Sequence, residues 1–133
     1  MRQSFRLVPQ EDKNGCGIAC VASILGMDYG VVRDLLGRPS GMLSGSKLHK
    51  LVEKRKKGKK VRYRRRLWKS VEKGDIKVGT LAMVRADNHF IVWTNKGWMD
   101  PWSNKWHWPP KASYRCKPAR TITTVWIPCR RGE

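Results

Sequence analysis

The apolar positions of this chain change their period halfway along. Ile18, Val21, Ala22 and Leu25 recur at helical spacing and stop at Gly26. Asp28 is placed to cap a second helix, with Val31, Val32, Leu35 and Leu36 inward and Gly37 at its end. Ser44 or Ser46 can cap a third, which buries Leu48, Leu51 and Val52 and leaves its lysines and His49 outside. From Val61 the period falls to two. Val61-Arg62-Tyr63-Arg64 alternates, residues 80–84 and 90–94 read as buried strands, and Asn95-Lys96-Gly97 reads as a turn into a return strand at 98–100. A last strand is expected at 121–127, ahead of Pro128. Residues 101–118 are rich in Trp, Pro and Lys and show no period, which predicts a loop packed down by its tryptophans. Helices first and antiparallel strands afterwards predict an α+β fold, as one domain over residues 1–133.

Composition adds two constraints. No stretch approaches the roughly 18 consecutive apolar residues that span a bilayer, and residues 1–9 lack the apolar run of a signal peptide. The expectation is a cytoplasmic protein with no transmembrane segment and with reduced cysteines. Of the four cysteines, Cys16 and Cys20 fall one turn apart on the first helix, while Cys116 and Cys129 are remote. No Cys-x-x-Cys pair is present, so neither a metal nor a cofactor is expected. The second constraint is a net charge of +19, with ten of the thirteen residues from Lys54 to Arg66 basic. Such a run is either a solubilising face or a surface for a polyanion, nucleic acid or acidic protein.

The candidate chemistry centres on Gln10 and the Gly15-Cys16-Gly17 run. A cysteine at a helix N-terminus has its thiolate stabilised by free backbone amides and the helix dipole. Glycines on both sides would let a substrate backbone approach. Gln10 is available to stabilise an oxyanion together with the Cys16 amide. His89 opens an apolar strand after Asp87-Asn88 and is the candidate base, with His107 as the fallback. Asp100 lies across the hairpin and is the candidate to orient the imidazole, provided the register puts both on one face. The alternative for Cys16 is a small buried hydrophobe at a glycine-rich helix start.

Gln10, Gly-Cys-Gly-Ile-Ala-Cys, Tyr29, Leu35-Leu36, the helix around Leu48 to Val52, His-Phe-Ile-Val and Asp-Pro occur in the order seen in one family. Over about residues 5–102 the chain resembles the papain-like cysteine peptidases that trim bacteriocin leader peptides after a double glycine. The resemblance implies a papain-like fold, Cys16 as nucleophile, His89 as base, Asp100 as orienting acid and Gln10 in the oxyanion hole. It also implies a peptide substrate with small residues at the cleavage site. Three features depart from that family. Gly15 stands where an aspartate is common, the stretch from His89 to Asp100 is short, and no exporter segment follows. The expected function is hydrolysis of a peptide or isopeptide bond, with acyl transfer open to the same residues. The alternative is an inert domain of that fold that binds nucleic acid or acidic protein through Lys54 to Arg66, with Trp93, Trp98, Trp102, Trp106 and Trp108 available for stacking.

Overall fold

The computed structural model describes residues 5–37, 45–55, 61–67, 82–86, 89–94, 97–103, 108–115 and 122–130. Asp87-Asn88, Asn95-Lys96, Ser44, Trp106, His107, Cys116 and the basic residues 56–60 lie outside them, as does much of the 101–118 segment. The architecture is α+β. Helix α1 spans Cys16–Leu25, α2 Tyr29–Leu35 and α3 Gly45–Arg55. The strands are β1 Val61–Leu67, β2 Ala82–Ala86, β3 His89–Thr94, β4 Gly97–Asp100, β5 Ser113–Arg115 and β6 Ile122–Arg130. They form a sheet in the order β1-β6-β2-β3-β4-β5, antiparallel at every pairing. Among the described residues no single helix is long and apolar enough to cross a membrane.

All ten residues of α1 are buried, so this helix is the core about which the rest packs. It ends as its sequence predicts. Gly26 takes the left-handed conformation (φ 66°), and the Gly26 and Met27 amides close back on Ser23 and Ala22 in a paired terminal motif. The segment 5–10 is laced to α1 through Ser23. The Ser23 carbonyl accepts the Arg6 amide, its hydroxyl accepts the Val8 amide at 3.1 Å, and the same hydroxyl donates to Ala19 O at 2.8 Å. Phe90, Val92, Met99 and Trp126 turn one face of the sheet toward the helices. Val84, Ile91 and Val125 form a smaller cluster on alternate positions, with Trp93, Trp98 and Ile122 against it.

Several expectations need correction. The inward face of α2 is Tyr29, Val32 and Leu36, whereas Val31 and Leu35 are 46% and 44% exposed. A seven-residue helix touches the core along one narrow stripe, and Tyr29 sets which stripe. Asp28 sits at the α2 N-cap but makes no side-chain cap; its carboxylate pairs with Arg6 instead. His49 is not solvent-facing. It is 4% exposed and stacks on the Trp126 ring at 4.9 Å between centroids. β6 runs through Pro128 to Arg130. Its pairing with β2 ends at Met83↔Trp126, so beyond that point Pro128 has a described neighbour on one side only, where a missing amide is tolerated. The 101–118 segment also contains a strand, β5, held on β4 by Met99↔Tyr114 and Asp100↔Ser113.

Candidate active site

The N-terminus of α1 is built by a tight turn over residues 12–15. Asp12 O accepts the Gly15 amide at 3.1 Å, and Gly15 O then accepts the Ala19 amide as the first helical bond. No side chain caps the helix. The amides of Cys16, Gly17 and Ile18 therefore precede the first intrahelical donor, the usual state of a helix start that receives negative charge. Gly15 is required by packing. A Cβ there would lie 1.8 Å from the Tyr29 hydroxyl, and one at Gly17 would lie 2.6 Å from Leu48 Cδ1. The space beside both glycines is thus filled from within by Tyr29 and Leu48 and is not left for a substrate backbone.

His89 and Asp100 meet through register. Val92 pairs with Met99 across the β3–β4 hairpin, which brings the opening of β3 alongside the end of β4. His89 Nε2 and Asp100 Oδ1 are 2.7 Å apart, and both side chains are buried. Asp100 Oδ1 also accepts the Trp102 amide at 2.9 Å, so the Asp-Pro-Trp turn holds the carboxylate as well as reversing the chain. With Nε2 committed to Asp100, Nδ1 is the ring atom left for Cys16, whose thiol is the other hydrogen-bond partner of the imidazole. Burial alone would lower the pKa of His89. The hydrogen bonds and charges of Asp100 and Cys16 outweigh it and raise the pKa to about 9.

Cys20, one turn further along α1, behaves oppositely. Burial, reinforced by the nearby Cys16 and Asp100 charges, pushes its thiol well above the ordinary range, so it remains a neutral core group. Both described cysteine thiols are free. Among the described residues no three His, Cys, Asp or Glu side chains gather as a metal site requires.

Gln10 lies at this corner too. Its amide nitrogen donates to Pro101 O, tying the segment before Cys16 to the residue after Asp100. Its side chain is arranged differently from the expectation. Nε2 donates to Asp12 O at 2.9 Å and Lys13 O at 3.1 Å, which uses both of its hydrogens, while the buried Oε1 has no partner among the described residues. Rotating the amide would put an oxygen against two carbonyls, so the orientation is chemically determined. An oxyanion would have to draw Nε2 away from one of those carbonyls.

Asp12 is the residue that the sequence pattern missed. Its carbonyl receives Gly15 and Gln10, while its carboxylate accepts the Tyr29 hydroxyl at 2.7 Å and faces Arg33 at 3.6 Å. Burial and that hydrogen bond raise the Tyr29 pKa, so the phenol stays a donor. The one available signal was Asp12 three residues before Gly15, a common turn-opening position. His107 lies outside the described residues, and Cys129 is on β6, where its backbone pairs with Arg62. No model of a known protein family matches the chain, and comparison with curated proteins finds no match.

Proposed function

We propose that the protein is a cysteine peptidase of papain-like architecture. The observation that carries this reading is the buried line Cys16–His89–Asp100 at the start of α1. A raised imidazole pKa favours proton transfer from the thiol, giving a thiolate–imidazolium pair at neutral pH. The Cys16 thiolate attacks the carbonyl carbon of a peptide or isopeptide bond, and the imidazolium gives its proton to the departing amine. Water, deprotonated by the same imidazole, then releases the acyl group; an amine in its place would give acyl transfer. The tetrahedral oxyanion falls to the amides at the start of α1, with Gln10 joining once it leaves one carbonyl.

The deciding test is the alkylation rate of each cysteine by iodoacetamide against pH, in the native chain and in His89→Ala. Cys16 should react selectively well below the ordinary thiol pKa of about 8.5 and lose that reactivity without His89. If Cys16 reacts no faster than the other cysteines in the native chain, the peptidase reading is wrong. An inert basic binding domain would then be the better description.

A further inference from the structure

Asp12 takes no part in the proposed proton transfers, yet the segments that lead into the nucleophile meet on it. Its carbonyl accepts the Gly15 amide at 3.1 Å, closing the turn into α1, and the Gln10 side chain at 2.9 Å. Its carboxylate accepts the hydroxyl of Tyr29, the first residue of α2, at 2.7 Å. Tyr29 is buried, and its hydroxyl sits so near Gly15 that no Cβ fits between them. Burial and the Asp12 bond keep the phenol protonated and hence a donor. Arg33 also faces the carboxylate, at 3.6 Å, but the two side chains are 42% and 44% exposed and water screens the pair.

Gln10 takes its orientation from this junction. Its main-chain amide donates to Pro101 O at 3.3 Å, but its side chain is held by carbonyls of the turn, Asp12 O and Lys13 O. A turn that drifted would carry the side-chain amide with it. The bond between Asp12 and Tyr29 opposes that drift by fastening the turn to α2, whose Tyr29 and Val32 are buried in the core. The same junction lets Gln10 act. When Nε2 gives up the Asp12 carbonyl for an oxyanion, that oxygen keeps the Gly15 amide, so it is not left unpaired and the turn survives. We propose that Asp12 is a positioning residue: fastened to Tyr29 through its carboxylate, it holds the Gln10 amide where a forming oxyanion can take one of its hydrogens. This rests on the peptidase reading and deepens it, and Asp12 itself touches no substrate.

The test compares two reactions of the same thiolate in the full chain. Iodoacetamide is attacked at a saturated carbon and forms no oxyanion. With p-nitrophenyl acetate the Cys16 sulfur bonds to the acyl carbon, the carbonyl oxygen carries the negative charge, and p-nitrophenolate leaves with the electron pair of the broken C–O bond. Asp12→Ala should slow acylation of Cys16 by about tenfold while alkylation stays within about twofold of the native rate. Because that variant loosens a turn, Tyr29→Phe, which keeps every backbone bond, is the second check and should show the same selective loss. Asp12→Asn should restore the native rate, since its side-chain oxygen still accepts the Tyr29 hydroxyl. In a Gln10→Ala background, Asp12→Ala should add no further loss, because the amide it positions is gone. Unchanged or faster acylation in Asp12→Ala and Tyr29→Phe would overturn the proposal. So would equal slowing of both reactions, the mark of a purely structural role, or an undiminished effect without Gln10. A native Cys16 that iodoacetamide does not select would instead fail the peptidase reading, and this proposal with it.

Discussion

The proposed catalytic corner and the exposed lysine stripe of α3 handle charge in opposite ways. At the corner a single imidazole and a single carboxylate are buried together, 2.7 Å apart, with the Trp102 amide as a further donor. There the low dielectric magnifies each interaction, and a few named bonds set the ionisation state. Along α3, Lys47, Lys50 and Lys54 are exposed on one stripe. Water screens each of them. The proposed reactivity requires the first arrangement.

The sharpest way to break the contrast is to remove the proposed nucleophile. Cys16→Ala should reduce peptide turnover by about 10⁶-fold with the far-ultraviolet spectrum unchanged; substantial residual hydrolysis would place the chemistry elsewhere. Next in size is Asp100→Asn. Losing the charge that raises His89 should lower the upper limb of the Cys16 alkylation profile from about pH 9 and cut turnover by about 10² to 10⁴.

Stability should follow the same group. The pKa of His89 rises from about 6.5 unfolded to about 9 folded, so its contribution is complete below pH 6.5 and is lost as pH climbs through 9. Thermal midpoints measured from pH 6.5 to 9.5 should therefore fall, and His89→Gln should flatten that fall. Charge reversal at Lys50 and Lys54 should leave the same pH dependence intact, since neither residue touches the corner.

Smaller again are the effects behind the corner. Gly15→Ala forces a methyl into the Tyr29 hydroxyl and should cost about 1–3 kcal/mol in chemical denaturation. Tyr29→Phe keeps the ring but deletes the bond to Asp12, for about 1 kcal/mol. The double variant should be milder than the sum, because removing the hydroxyl clears the space that the alanine methyl needs. Strict additivity would mean that the clash is relieved in some other way.

Local pattern sufficed for α1 and its Gly26 stop and for the switch from helical to strand period, and it nominated Cys16, Gln10, His89 and Asp100 by residue type without showing that they meet. Those features are short-range. They depend on the side-chain period, on glycine in a left-handed turn, and on residue types that favour a helix start or a strand end. What the pattern could not supply was anything decided by which surfaces meet. The inward stripe of α2, the burial of His49 against Trp126, the strand hidden in the Trp- and Pro-rich segment and the passage of β6 through Pro128 all depend on neighbours remote in sequence. The same holds at the site. The pairing of β3 with β4 brought His89 and Asp100 together, and the Asp12 turn turned both Gln10 hydrogens toward carbonyls. A one-residue slip of the β3–β4 pairing would leave every residue type in place and separate the pair, because strand side chains alternate faces and only tertiary packing selects the register.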